Sequence, residues 1–183
     1  MIEGLARLHA RYRGDAILDS FPAADGTWWR TKCIDSASRL RESDDPSAEK
    51  TIAYLQGVAD DPVVLDLLDR TERTLNHGDV HVNNVRAGPV TKLVDWGAAW
   101  AAPPAFDLAF ALEPADARYV RYAAAWAEVA GRPPDDDRFA REHTLVVVAM
   151  NTRYLRFALA RFGADAAAAM IETAALARRR LAG

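Results

Sequence analysis

One segment, residues 76–97, departs from the helical pattern of the rest of the chain and constrains its fold most. It reads NHGDVHVNNVRAGPVTKLVDWG and combines oxygen-bearing polar side chains with two short apolar runs. The runs predict strands at Val85 to Ala87 and at Lys92 to Trp96, and the Gly88-Pro89 pair between them is typical of a tight turn. The sequence therefore predicts a β-hairpin in this segment.

The predicted hairpin would bring two polar side chains together. Asn84 and Asp95 are equally far from the centre of the turn, so a symmetric register places them opposite each other, about 5 Å apart at the backbone. An amide oxygen and a carboxylate are hard ligands that hold Mg²⁺ while leaving room for water and phosphate. Asp79, preceded by His77-Gly78, lies in an irregular loop just before them. The segment therefore predicts a magnesium and phosphate site with a further carboxylate beside it.

Helical patterns dominate the rest of the chain. Apolar residues recur at helical spacing, as Trp29, Cys33 and Leu40 do, and two segments open with an Asp-Pro pair that suits a helix start. The expected fold class is mainly α (α+β), a helical bundle with one short hairpin, in a single domain over residues 1–183. Helices are predicted within residues 2–13, 28–43, 44–60, 60–75, 115–131 and 135–163 and in the alanine-rich C-terminal end.

Composition and charge exclude several classes of protein. The 183 residues carry a formal charge of -3, which gives no electrostatic reason to expect nucleic acid or an anionic membrane as a partner. No apolar run approaches the roughly 18 residues that span a bilayer, and the first residues lack a signal-peptide pattern. A cytoplasmic location is therefore expected. Cys33 is the only cysteine, so no disulfide framework is possible and a buried apolar role is expected for it.

Two charged runs have a structural explanation. Asp135, Asp136 and Asp137 precede a long helical pattern, so we expect them to cap that helix rather than to bind a metal ion. Arg178, Arg179 and Arg180 end the last helix, where cations complement the helix dipole. Neither run is taken as a functional site.

Several motifs resemble the aminoglycoside phosphotransferase and choline kinase families, distant relatives of the protein kinases. HGDVHVNN resembles their catalytic loop, in which His-x-Asp is followed by Asn five positions after the Asp, and LVDWGAA resembles their magnesium-binding segment. The opening IEGLARLHARYRG resembles the first helix of their C-terminal lobe, and PAFDLAFAL resembles a segment that follows the metal site. The resemblance implies a protein-kinase-like C-terminal lobe as the fold. Val82-Asn83 stands where relatives often have Pro-Gly.

The resemblance also implies a role for each motif residue. Asp79 would accept the proton of the attacking hydroxyl, and Asn84 and Asp95 would bind Mg²⁺ and, through it, the phosphates of ATP. His77 would brace the loop. His81 would either reach toward the phosphates or pack locally.

A further motif residue has a supporting role. Asp107, in the segment that follows the metal site, is expected to fix the catalytic loop through backbone hydrogen bonds rather than to touch substrate.

The rest of the kinase machinery is not found in these residues. The resemblance implies a Gly-rich loop and a strand lysine that hold the triphosphate, both in an N-terminal lobe. Lys32, Lys50 and Lys92 are the only lysines, and none follows a Gly-rich strand pattern. We therefore expect a C-terminal lobe alone, whose N-terminal lobe is absent or is supplied by a separate chain, and little activity without it.

The sequence is consistent with two functions. The first is an ATP-dependent transfer of phosphate to a hydroxyl of an amino sugar or a similar small alcohol; the second is an inactive kinase-like remnant that acts as a binding or interaction module. Choline-like and homoserine-like acceptors are further alternatives. The candidate acceptor residues are acids that suit cationic sugars and aromatics that suit quaternary amines, although the aromatics have the spacing of core residues. They are Glu113, Asp116 and Glu142, and Tyr119, Tyr122 and Trp126.

Overall fold

The structure is a computed structural model that describes residues 1–43, 45–89, 91–109, 112 and 116–182. The mainly helical fold with a short hairpin is confirmed. The helices are α1 (Ile2–Arg11), α2 (Gly26–Glu42), α3 (Glu49–Ala59), α4 (Pro62–Arg70), α5 (Ala105–Leu108), α6 (Ala117–Ala130), α7 (Asp136–Arg153), α8 (Leu155–Phe162) and α9 (Ala164–Ala182). The strands are β1 (Thr74–Asn76), β2 (Val85–Arg86), β3 (Lys92–Leu93) and β4 (Trp100–Ala102).

Aspartates define where several helices begin. The Asp25 carboxylate accepts a hydrogen bond of 2.7 Å from the Trp28 amide at the start of α2. The Asp61 carboxylate accepts one of 2.9 Å from the Val63 amide at the start of α4. Asp135 does the same for α7, since its carboxylate accepts from the Arg138 amide at 2.7 Å. These bonds satisfy amides that the helix itself leaves without partners, and they confirm the predicted capping role of Asp135.

The hairpin forms, but its register differs from the predicted one. β2 and β3 are antiparallel, with Val85 opposite Leu93 and Arg86 opposite Lys92. The Asn84 carbonyl accepts a 3.0 Å hydrogen bond from the Val94 amide, so Asn84 faces Val94 rather than Asp95. The predicted pairing was therefore wrong by one residue, because the connection is not symmetric about the assumed turn centre. The strands are also shorter than predicted.

A second small sheet was not predicted. β1 pairs antiparallel with β4, and Leu75 lies opposite Ala101. All residues of both strands are buried. The sequence pattern extended a helix through residue 75, whereas α4 ends at Arg70. A buried three-residue strand has no visible alternation, so periodicity could not separate it from the preceding helix.

The first compact unit comprises Met1–Ala24 and Thr71–His143. Within it, α1 packs along α6, and β1 and β4 lie against α1 and the turn at Ala16–Ser20. Leu18, Leu75 and Ala101 form a buried cluster there. This unit contains every motif residue of the predicted catalytic site.

The second compact unit comprises Asp25–Arg70 and Thr144–Gly183, described through residue 182. Within it, α2 packs on α3 and α8 packs on α9. Trp29 is buried, and its indole N–H donates to the Val58 carbonyl at 2.8 Å. Burial raises the pKa of the Cys33 thiol to about 12, which agrees with its predicted apolar role. The assignment of residues 1–183 to a single domain stays a prediction.

The long helix predicted over residues 135–163 is two helices. α7 ends at Arg153 and α8 begins at Leu155, with Tyr154 between them outside regular helical geometry. Within the described parts of the chain, no helix combines the length and the apolar character needed to cross a membrane.

Candidate active site

The irregular loop after β1 carries Asp79 and ends at Asn84. Asn84 closes a short 3-10 turn, Val82–Asn84, and is buried. Its side-chain amide donates to the Asp79 backbone carbonyl at 2.9 Å and to Asp79 Oδ2 at 3.0 Å. Because the Asn84 NH₂ group is engaged by Asp79, its Oδ1 is the side-chain atom left to bind something else.

His81 adds a second hydrogen bond to the same carboxylate. Its Nδ1 accepts from the Asn83 amide at 3.2 Å, which leaves Nε2 to carry the proton and donate to Asp79 Oδ2 at 3.2 Å. Asp79 Oδ2 is thus held from two sides. Asp79 Oδ1 accepts no hydrogen bond from the described residues, and the side chain is half exposed. One oxygen of Asp79 therefore remains open to solvent and to an acceptor.

His77 connects the loop that carries Asp79 to the segment after the hairpin. Its ring is fully buried, and Nε2 donates to the Val94 carbonyl at 2.9 Å. The ring also meets Trp96 edge-on, with centroids 4.7 Å apart. His77 therefore contacts the residues on both sides of Asp95, and its bracing role stays a prediction.

Asp95 itself has an unusual backbone. Its φ of 63° and ψ of 69° lie in the left-handed region, and no other non-glycine residue in the described ranges has a positive φ. Such a conformation costs about 1 kcal/mol or more for a residue with a Cβ. The carboxylate is exposed and has no hydrogen-bond or ion-pair partner among the described residues. It is therefore available to a cation.

Asp107 holds the beginning of the loop in place. It is buried in α5, and its two carboxylate oxygens accept from the His77 amide at 2.7 Å and the Gly78 amide at 2.8 Å. These bonds confirm that Asp107 fixes the loop through its backbone. Gly78 is required here, because its φ is 80° and an added Cβ would lie 2.1 Å from the Ala98 carbonyl oxygen.

A buried chain of hydrogen bonds behind Asp107 was not predicted. His9 Nε2 donates to Asp107 Oδ2 at 3.3 Å, and the Tyr122 hydroxyl donates to His9 Nδ1 at 2.9 Å. Burial raises the pKa of Tyr122 well above its ordinary value, with nearby acids adding to the shift, so its hydroxyl keeps its proton. The histidine of LARLHA was the available signal, but only the fold shows that it faces Asp107.

The candidate acceptor residues have mostly structural contacts. Tyr119, Tyr122 and Trp126 are buried, as their core spacing suggested. Asp116 caps α6 and pairs with Arg118, and Glu142 pairs with Arg138 at 2.7 Å. Glu113 lies outside the described residues. Within the described ranges, no three or more His, Cys, Asp or Glu side chains are grouped closely enough to share a metal ion. Asn84 and Asp95 are a pair of one amide and one carboxylate, so they are not a group of this kind.

The chain matches the family model described as the phosphotransferase enzyme family over residues 1–143. This match covers the helix α1, the loop that carries Asp79 and Asn84, the Asp95 segment and Asp107. The chain therefore belongs to this family of phosphotransferases. No curated protein matches it in sequence.

Solved structures give more distant similarities. A macrolide 2'-phosphotransferase type I is 23% identical, with 98% of this chain and 56% of that chain covered and a TM-score of 0.48. The apoenzyme of a macrolide 2'-phosphotransferase from Brachybacterium faecium is 22% identical, with 92% and 56% covered and a TM-score of 0.49. A putative aminoglycoside phosphotransferase from Ralstonia eutropha JMP134 is 14% identical, with 98% and 64% covered and a TM-score of 0.49. The chain thus spans less than two thirds of the length of these structures.

Proposed function

We propose that this chain carries the catalytic site of an ATP-dependent phosphotransferase that transfers the γ-phosphate to a hydroxyl of a small molecule. Family membership supports the reaction class. The single observation that carries the proposal is the geometry of Asp79, whose Oδ2 is fixed by Asn84 and His81 while Oδ1 stays open.

In this proposal Asp79 accepts the proton of the acceptor hydroxyl as that oxygen attacks the phosphorus atom. A carboxylate within hydrogen-bond reach of the hydroxyl orients it and removes its proton in the transition state. Asn84 and His81 prevent the carboxylate from rotating, because both donate to the same oxygen. Asp107 and His77 act as positioning residues, since they hold the backbone on either side of the site.

The residues present fit a magnesium ion. Asn84 Oδ1 and the Asp95 carboxylate are hard oxygen donors, and neither has a competing partner among the described residues. When bound, Mg²⁺ would neutralise part of the charge on the nucleotide phosphates. The left-handed backbone of Asp95 supports this role, because strain of this kind is typical of functional positions.

An amino sugar or a similar small alcohol is the proposed acceptor, in a cytoplasmic setting. The formal charge of -3 supports a neutral or cationic acceptor over an anionic one. Choline-like and homoserine-like alcohols remain in the panel that the experiment must cover.

The experiment is transfer of labelled γ-phosphate from ATP to amino sugars and amino alcohols. Residues 1–183 alone should transfer little, since positioning of the triphosphate supplies much of the rate enhancement and no Gly-rich loop or strand lysine is found in these residues. The same residues joined to an ATP-binding lobe of the family should turn over. In that two-lobe protein, Asp79→Asn should lower kcat about a hundredfold or more, whereas the exposed Asp137→Asn should not change it.

Each result has a clear meaning. Turnover of the Asp79→Asn protein at the normal rate would refute the proposed base. A two-lobe protein that binds ATP and every acceptor without transferring phosphate would support the alternative function, an inactive binding module.

A further inference from the structure

A cavity of about 420 Å³ lies in the first unit, apart from the residues of the catalytic site. It is bounded by the end of α1, by the chain that enters β1, by α6, and by the Arg132–Asp135 segment with the first turns of α7. Neither Asp79, Asn84 nor Asp95 lines it. Its volume is within the range of about 300–1,000 Å³ found for small-molecule sites.

The acidic side chains of this cavity already have partners. Glu72 Oε2 accepts from Arg13 at 2.6 Å and from Arg138 at 3.1 Å. Glu142 accepts from Arg138 at 2.7 Å, and the Asp135 carboxylate caps α7. A cationic ligand would have to compete with these bonds for each carboxylate.

The basic side chains exceed the acidic ones. Four arginines line the cavity against three acids, which leaves one positive charge in excess. Burial raises the pKa of Glu142, partly offset by Arg138, so any protonation of Glu142 makes the lining more positive. Arg132 is exposed at the edge and forms no ion pair with the described residues. Its guanidinium can therefore bind an anion, and its planar fork suits a carboxylate.

The remaining lining of the cavity is largely aromatic and apolar. Tyr122 and Trp126 lie with ring centroids 6.0 Å apart, and Phe139 lies 6.0 Å from Tyr122. Pro133 and Pro134 extend this lining beside Arg132. A flat apolar group would be desolvated against these residues while an attached anion reached the guanidinium.

We propose that this cavity is a second ligand site, separate from the catalytic site, which binds a small aromatic carboxylate. The carboxylate lies against Arg132, and the ring lies against Trp126 and Pro133. The site needs no phosphoryl transfer, so its test is independent of the proposed function.

The experiment tests the binding of three probes that share an indole ring to residues 1–183. Indole-3-acetate is the acid, indole-3-acetamide is its neutral match, and tryptamine is its cationic match. Each is titrated by calorimetry and by NMR of the indole N–H signals, with the Trp126 signal assigned from the Trp126→Phe variant. The acid should bind at least about fivefold more tightly than the other two and should shift the Trp126 signal.

Two arginine variants locate the anion. Arg132→Ala should weaken binding of indole-3-acetate about fivefold, because one charge-assisted contact at a partly exposed position is lost. Arg11→Ala removes an exposed arginine of the same unit that does not line the cavity, and it should leave binding unchanged. Both positions are exposed, so the fold should be retained and circular dichroism can verify it.

Three results would overturn the proposal. The first is no saturable binding of indole-3-acetate, and the second is equal or tighter binding of the amide or the amine. The third is binding that Arg132→Ala and Arg11→Ala affect equally, since the anion would then not lie against Arg132.

Discussion

At the scale of single residues, the chemistry depends on which atoms of Asp79 and Asn84 are already engaged. Asn84 uses its NH₂ group to hold Asp79. This leaves Asp79 Oδ1 and Asn84 Oδ1 without a hydrogen-bond partner among the described residues. In the proposed reaction, this pair of residues supplies the base and one metal ligand without rearrangement.

Gly78 provides a test of how tightly the loop is held. Gly78→Ala should cost at least about 2 kcal/mol more in free energy of unfolding than Gly131→Ala. Both glycines have a positive φ, but an added Cβ at Gly78 meets the Ala98 carbonyl, whereas Gly131 has nothing within 4 Å. Urea unfolding of both variants measures the difference. Equal costs would show that the loop can move away from Ala98 easily.

Asp95 provides a test of whether its left-handed backbone is strained. Asp95→Gly should be more stable than Asp95→Ala by about 1 kcal/mol, because only glycine adopts a φ of 63° without penalty. The matched control is Asp35, which is exposed within α2, where alanine should be the more stable replacement by about 1 kcal/mol. If alanine and glycine are equivalent at Asp95, the left-handed conformation does not persist in solution.

At the scale of elements, α5 and α1 position the loop through buried hydrogen bonds. Asp107 links α5 to the two amides that follow β1, and His9 links α1 to Asp107. A buried carboxylate with several donors is costly to disturb, because each donor left behind loses its partner.

The hydrogen bonds that link Tyr122 through His9 to Asp107 predict how stability changes when the Tyr122 hydroxyl is removed. Tyr122→Phe should lower the free energy of unfolding by about 1–3 kcal/mol, since His9 Nδ1 would be buried without a donor. Tyr12→Phe is the control, because the Tyr12 hydroxyl has no hydrogen-bond partner among the described residues. Urea unfolding gives both values. A Tyr122→Phe protein as stable as the Tyr12→Phe protein would contradict the hydrogen bond between Tyr122 and His9.

An ion pair in the second unit gives a prediction that depends on pH. Asp61 caps α4 and accepts from Arg178 of α9 at 2.7 Å. Burial raises the pKa of Asp61, but the Arg178 hydrogen bond and the Val64 and Val63 amides lower it more, so it lies below its ordinary value. The resulting stability is present above the unfolded pKa, about 4, and is lost as pH falls through the lower folded pKa.

Arg178→Ala should therefore lose on the order of 1 kcal/mol of stability at pH 7. The difference from the unsubstituted chain should shrink as the pH falls below about 4, because Asp61 becomes protonated. Arg179→Ala, which removes an exposed neighbour, should change little at either pH. A loss of stability that is the same at pH 7 and pH 3 would mean that Arg178 acts through packing rather than through Asp61.

Sequence patterns predicted the helices and the hairpin but not the hairpin register or the second sheet. The amphipathic helices and their aspartate caps followed from periodicity, since each pattern extends over several turns. The hairpin followed from the Gly88-Pro89 turn, but its register did not, because two-residue strands leave little alternation to fix it. β1 and β4 were missed because their pairing joins residues far apart in the chain.

At the scale of the whole molecule, the motifs showed the family, whereas the contacts of the site residues required the structure. HGDVHVNN and LVDWGAA predicted that Asp79, Asn84 and Asp95 share one site, which stays a prediction. The family match over residues 1–143 confirms the family resemblance that these motifs carry. The contact between Tyr122 and His9 joins residues far apart in sequence, so no local pattern indicates it.

The most direct test of the catalytic-site assignment is the location of a bound divalent ion in residues 1–183. Mn²⁺ substitutes for Mg²⁺ and broadens the NMR signals of nearby groups. We expect the strongest broadening at the Asn84 side-chain amide and the amides around Asp95, with reversal by excess Mg²⁺ and loss in Asp95→Asn. Broadening centred on Asp135 to Asp137, or broadening that Asp95→Asn does not change, would contradict the proposed metal site and with it the assigned chemistry.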